Sequence, residues 1–190
     1  MSDNTDKYRN KVEFTVGRTY KPSTDESRLW DEGDICVGFN RGNAFKGISF
    51  VERPDAIKVN SDESLVVAKI FEEIVRDSRV GPYDKNSNSG FWRILVARES
   101  KITKQLLLSV VITKGQEMPE VVRKTLIAKL GSGTKVGSQG FEIVSLTLIK
   151  SSDLSGGYKE QDEMEILSGK DSYEEILCGL KFNVSPFAFF

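Results

Sequence analysis

The sequence contains no histidine. That removes both the commonest general base and the commonest metal ligand. It has two cysteines, Cys36 and Cys178, too far apart to form a metal knuckle. The expectation is two buried thiols in a reducing compartment. No apolar run approaches the ~20 residues that a membrane-spanning helix needs. The start, Met1-Ser2-Asp3-Asn4-Thr5-Asp6, is too polar and acidic for a secretory or mitochondrial signal. These absences predict an intracellular protein, cytoplasmic or nuclear, with no membrane among its partners. An excess of one charge is missing too: 27 basic and 28 acidic residues leave a net charge of −1. Any nucleic-acid binding must therefore rest on a local basic patch, because no global field steers the partner in.

What is present suits a folded core. The 190 residues are 38% hydrophobic and 29% charged, enough for one large domain or two small ones. The C-terminal end is unusual, with Phe182, Phe187, Phe189 and Phe190 supplying four of the 11 phenylalanines. Chain ends are usually polar. Such an end is either a strand docked in the domain's own core or a segment on its way into a neighbour.

Residues 1–7 read as a polar, disordered tail. From Tyr8 to Gly17 the pattern alternates, with Arg9, Lys11, Glu13 and Thr15 on one face and Asn10, Val12, Phe14 and Val16 on the other. That is a half-buried strand with a charged outer face. Residues 18–33 are poor in apolar positions and read as a surface loop. Short strands follow at Ile35–Phe39 and Phe45–Val51 around the turn residues Asn40-Arg41-Gly42-Asn43. Asn60 or Ser61 can cap a helix whose apolar positions are Leu65, Val66, Ile70, Phe71, Ile74 and Val75. Phe91 to Arg98 reads as a strand with Phe91, Arg93 and Leu95 facing away from Trp92, Ile94 and Val96. Leu106 to Ile112 has the continuous apolar character of a central strand. Pro119 opens a second helix with Val122, Leu126, Ile127 and Leu130 as its stripe, and Gly131 stops it. Strands at Phe141–Ile149, Met164–Leu167, Tyr173–Leu177 and Leu180–Val184 complete the chain. The order predicts an α+β fold: a mostly antiparallel β-sheet with two amphipathic helices.

Few residues suggest chemistry. The glycine-rich run Gly131 to Gly140 lies after a helix and before a strand, the reverse of a phosphate-binding loop, so it reads as a connection. Cys178 has no histidine to activate it and reads as a small core residue. The carboxylates form no acid–base pair. The basic and aromatic positions are the better candidates for binding: Tyr8, Arg9 and Lys11 on the first strand, Arg41 and Lys46 beside a turn, and Phe91, Arg93 and Arg98 with Lys101 and Lys104 on and beyond the central strand. Cations hold phosphates, and exposed rings stack unpaired bases. From spacing alone, the solvated face of an ordinary sheet explains these positions better.

Four collinear stretches carry a resemblance. They are Tyr8-Arg9-Asn10-Lys11-Val12-Glu13-Phe14, Val37-Gly38-Phe39-Asn40-Arg41-Gly42 through Lys46-Gly47, Tyr83-Asp84 with Gly90-Phe91-Trp92-Arg93 through Arg98, and Leu177 to Phe190. Together they resemble the S-adenosylmethionine-dependent RNA uracil-5 methyltransferases, in particular the eukaryotic branch acting on the T-loop uridine of tRNA. The resemblance implies that residues 8–184 are that family's RNA-holding middle domain, and that residues 185–190 begin the hinge into a Rossmann-like catalytic domain absent here. It implies tRNA or another structured RNA as partner, with the strand of Tyr8, Arg9 and Lys11 and the segment of Phe91 and Arg93 as RNA contacts, beside which Arg41, Lys46 and Arg98 are RNA-binding candidates by their basic character. It implies S-adenosylmethionine as cofactor of the full-length enzyme and none bound by this chain alone. Cys178 does not match the family nucleophile. The alternatives are a non-catalytic RNA-binding protein, or an interaction module docking through an exposed Phe187, Phe189 and Phe190.

Overall fold

The computed structural model describes residues 6–25, 31–41 and 50–188. Among them, β1 (Lys11–Lys21), β2 (Asp31–Arg41) and β3 (Phe50–Glu52) form an antiparallel meander. Helix α1 (Asp62–Ser78) leads into β4 (Trp92–Ser100) and β5 (Gln105–Thr113). Helix α2 (Glu120–Leu130) and the short β6 (Lys135–Val136) then lead to β7 (Phe141–Ser151) and β8 (Glu163–Gly169). One sheet runs β3-β2-β1-β4-β5-β7-β6, with β8 also on β7; among the described residues its only parallel strand pair is β5 with β7. The crossover through α2 allows that pair, since parallel neighbours need a long connection. A separate hairpin joins β9 (Tyr173–Leu177) to β10 (Leu180–Val184). The architecture is α+β, as the sequence pattern predicts.

The sheet has two different faces. On one, Val12, Phe14, Leu95, Leu108 and Leu148 meet Val67, Phe71 and Ile74 of α1 and Val122, Leu126 and Leu130 of α2 in the main core. Ser61 caps α1 by accepting from the Ser64 N–H at 3.1 Å, which satisfies one of the helix's free donors. Gly131 closes α2 by donating to the Ile127 carbonyl at 2.9 Å. On the other face the cover is partial. Tyr173 and Val184 of the β9–β10 hairpin pack on Leu107 and Val144, while Tyr158 and Phe187 pack on Ile94, Val96, Val111 and Ile149. The outward residues of β1 keep open space beside this cover.

Several expectations need correction. Residues 18–33 are not wholly loop, because β1 runs to Lys21 and β2 starts at Asp31. Cross-strand contacts hold this hairpin without many apolar residues: Arg18 pairs with Glu32 at 2.9 Å, and the Tyr20 ring lies 5.4 Å from Phe50. The strand expected from Phe45 is described only from Phe50; residues 42–49 lie outside the described ones. In β4 a bulge between Trp92 and Ile94 shifts the alternation, so Trp92 joins Leu95 on the helix side. Cys36 is buried as expected, but Cys178 is exposed. Cys178 and Gly179, at φ 51° and 79°, form the two-residue tip of the β9–β10 hairpin, where left-handed backbone matches the strand twist. In the N-terminal stretch, Lys7 is anchored, its amide donating to Lys58 O at 2.7 Å and its ammonium to Asp62 at 2.6 Å.

Candidate nucleic-acid interface

The open strip lies along β1. Lys11 is registered against Arg98, Glu13 against Val96 and Thr15 against Ile94, so these outward side chains share the face opposite the helices. Two loops wall the strip. One follows α1 and carries Tyr83 to Asn86; the other joins β7 to β8 and carries Ser155 to Glu160. Three cavities of about 280 Å³ each follow one another along it. The middle one lies between Glu13, Thr15, Tyr83, Lys85, Arg93 and Gly157. It shares Glu13 and Gly157 with a second cavity that ends at Lys11, Tyr158 and Phe187. It shares Thr15, Tyr83 and Lys85 with a third that reaches Arg18, Glu32 and Asn40. The result is a continuous groove.

Both walls are held by aspartate-centred turns. Asp84 accepts from the Asn86 N–H at 2.9 Å, the Ser87 N–H at 3.3 Å and the Ser87 hydroxyl at 2.8 Å. Burial pushes the Asp84 carboxyl up, but these bonds prevail and hold it below its ordinary value. Asp153 accepts from the Ser155 N–H at 2.8 Å and pairs with Lys159 at 3.0 Å. The Ser155 bonds, with Lys159 behind them, bring its carboxyl down to about 2. Gly156 sits at φ 85°, and a Cβ there would come within 3.0 Å of the Lys85 side chain. Glycine therefore lets the two walls approach.

The groove's charge is mixed. Lys11, Arg18, Lys85, Arg93 and Lys159 slightly outnumber Glu13, Glu32, Asp84 and Glu160. Most cations are already paired: Lys11 with Glu13 at 2.7 Å, Arg18 with Glu32 and Lys159 with Asp153. Lys85 is exposed and has no ion pair among the described residues. Such a surface fits a few phosphate contacts rather than a strongly basic track.

The structure brings together only part of the set expected from sequence. Lys11 and Arg93 line the groove. Tyr8, 60% exposed, and the exposed Arg9 precede β1, and the Arg9 amide donates to Val59 O at 3.2 Å. Arg41 is exposed on the β2–β3 edge, 2.5 Å from Glu52 and outside the groove. Lys46 lies outside the described residues. Phe91 and Arg98 are corrections, and Arg93 borders the groove only with a small part of its surface, because all three are at least 97% buried. Phe91 stands edge-on to Trp92 at 4.8 Å in the core, so its ring is not available to a base. The Arg93 guanidinium lies 3.9 Å from the Tyr83 ring centre, donating at 3.1 Å to the Thr113 hydroxyl and at 2.5 Å to Asp153 O. Arg93 thus fastens the two walls to the sheet. Arg98 donates to Pro186 O at 3.3 Å and to Ala188 O, tying the C-terminal segment down. Beyond β4, Lys104 is bonded to Gln139 at 2.7 Å. Phe187 is half-buried, 6.0 Å from Tyr158, and so is not a free docking side chain; Phe189 and Phe190 lie outside the described residues.

Sequence reasoning missed Lys85, Tyr158 and Lys159. The signal was weak: Gly156-Gly157 directly before Tyr158-Lys159 marks a tight turn presenting an aromatic and a cation. The glycine-rich run before β7 connects α2 to β6 and β7 and is bonded internally. Its Gly131, Gly133 and Thr134 amides donate to Ile127, Ile143 and Gly131 carbonyls. No group of histidine, cysteine or acidic residues suited to a metal occurs among the described residues. No helix among them is long and apolar enough to cross a membrane.

The fold matches a Pyrococcus abyssi tRNA (uracil-54, C5)-methyltransferase solved in complex with S-adenosyl-L-homocysteine, with a TM-score of 0.66 at 17% identity, over 100% of this chain and 37% of that one. No protein-family model matches the chain. The sequence is similar along nearly its whole length to RNA methyltransferases. It is 27% identical to tRNA (uracil-5-)-methyltransferase homolog A of Mus musculus, over 96% of this chain and 28% of that protein. It is 28% identical to an uncharacterized RNA methyltransferase of Caldanaerobacter subterraneus, over 96% of this chain and 36% of that protein. It is also 24% identical to zinc finger CCCH domain-containing protein 24 of Arabidopsis thaliana, over 98% of this chain and 26% of that protein. The chain therefore spans about a quarter to a third of the length of the curated relatives it matches.

Proposed function

We propose that this chain is the RNA-holding domain of a tRNA (uracil-5-)-methyltransferase, and that the groove along β1 is its RNA surface. The enzyme would methylate carbon 5 of the T-loop uridine with S-adenosylmethionine as methyl donor, acting inside the cell, in cytoplasm or nucleus. The similarity over 96% of the chain to a tRNA (uracil-5-)-methyltransferase homolog carries this reading. The groove supports it, with Lys85 toward phosphates and the exposed Tyr8 and Arg9 extending the contact from the start of β1. Arg41 lies on the neighbouring β2–β3 edge and makes an outer contact, and Lys46, close to it in sequence, is a further candidate. Arg93 and Arg98 act from beneath, by fixing the loops and the C-terminal segment. Methyl transfer is assigned to a part of the enzyme outside residues 1–190, reached through the segment from Ser185 onward. S-adenosylmethionine would bind there.

The test has two arms. The chain should bind an unmodified tRNA transcript with two or three phosphate contacts, which gives a slope of about −2 in a plot of log affinity against log salt. The paired substitution Lys85→Glu and Lys159→Glu should weaken binding and flatten the slope; unchanged binding contradicts the groove assignment. The full product of the gene should transfer a methyl group to tRNA bearing an unmodified T-loop. Binding without transfer would favour a non-catalytic RNA-binding protein.

A further inference from the structure

The cavity at the Lys11 end of the groove differs from its neighbours because two aromatic rings border it. Tyr158 and Phe187 lie 6.0 Å apart at 47°, each packed in part on the Ile94–Val96 patch of the sheet. The Lys11 ammonium stands 5.9 Å from the centre of the Tyr158 ring. The volume of about 280 Å³ is smaller than the usual site for a drug-sized ligand and leaves room for one small heterocycle. The wall's charges cancel, Lys11 and Lys159 against Glu13 and Glu160. A phosphate here would face two carboxylates, whereas a neutral ring with donors and acceptors along its edge can use both signs. The loop presenting Tyr158 is pinned on both sides, by the Ser155 bonds to Asp153 and by the Lys159 N–H donating to Asp162 at 2.7 Å. A ring held in place before binding loses little entropy on contact.

We propose that this cavity receives one unstacked nucleobase of a single-stranded RNA segment, with Tyr158 as the stacking platform. The proposal rests on the RNA-binding reading and adds the place where one unpaired base is held and the ring it stacks on, so the cavity takes a loop or single strand and not a duplex. Lys85 and the middle cavity would hold the adjoining backbone.

The experiment compares a labelled 12-nucleotide single-stranded RNA, the same strand with abasic sites throughout, and the corresponding duplex. Tyr158→Leu should weaken binding of the intact strand about 5- to 150-fold, the range expected for one lost base–aromatic stack. It should leave the salt slope, the abasic strand and the duplex unchanged, and Tyr158→Phe should bind as the wild type does. In the wild type, the Tyr158 ring-proton resonances should shift on adding the intact strand and stay in place on adding the abasic one; this readout does not depend on the Leu variant folding. Binding of the intact strand that ignores Tyr158→Leu, or ring resonances that respond equally to both strands, overturns the proposal while leaving the RNA reading in place. Failure of the wild type to bind any RNA overturns both.

Discussion

The polar side chains that the fold buries lead to separate predictions. Glu99 is 3% exposed and accepts a bond from the Ser61 hydroxyl, with Glu63, 2% exposed, nearby. Burial raises the Glu99 pKa above its ordinary value, against the Ser61 bond and Lys101, while Glu63 adds to the rise. A raised acid binds its proton more tightly in the folded state. Its contribution to stability is therefore full below the ordinary glutamate pKa and is lost as pH rises through the folded value. Urea unfolding across about pH 4 to 8 should show this loss in the wild type and a flatter profile in Glu99→Gln. Ser61→Ala removes both the α1 cap and the Glu99 donor, and should cost about 1–2 kcal/mol. The effects of these two substitutions should not add, because the residues share a bond. Asp153 has the opposite sign. Its carboxyl is held down to about 2, so the order it gives the loop is present above the ordinary carboxylate range and lost as pH falls toward that value. Asp153→Asn should release Lys159 and speed amide exchange over residues 155–160 at neutral pH.

Among the elements, the hairpin β1–β2 and its β3 edge depend on close backbone approach. A Cβ on Gly38 would come within 2.0 Å of the Glu52 carbonyl oxygen. Gly38→Ala should therefore separate β3 from β2 and cost about 1–3 kcal/mol, measurable by thermal or urea unfolding. This position also shows what local pattern can and cannot reveal. The alternation Val12, Phe14, Val16 and the capped stripe of α1 are local signals, and they predict elements close to those observed. The polar arms of the β1–β2 hairpin carry no such stripe, because the Arg18–Glu32 ion pair and the Tyr20–Phe50 contact help hold them, and their sequence reads only as loop. The bulge at Trp92–Ile94 breaks the alternation in β4 and puts Trp92 on the helix side with Phe91 and Leu95, away from Ile94 and Val96. Phe91, Arg93 and Arg98 looked like surface because residue type alone does not show that an arginine's partners are carbonyls 60 to 90 residues away.

For the whole molecule, the two faces of one sheet divide the work. Helices α1 and α2 seal one face into the main core, while loops and the C-terminal segment cover the other in part and leave a groove beside β1. Sequence likeness pointed to RNA but not to this groove, because its walls come from loops far apart in the chain. Lys85 comes up to Gly156 only after both loops are placed. The most direct test is to cross-link the chain to a tRNA transcript carrying 4-thiouridine and identify the attached peptides by mass spectrometry. The account predicts attachment within Lys11 to Thr15, Tyr83 to Asn86 and Ser155 to Glu160. Attachment confined to the outer surfaces of α1 and α2, with none along the groove, would contradict it.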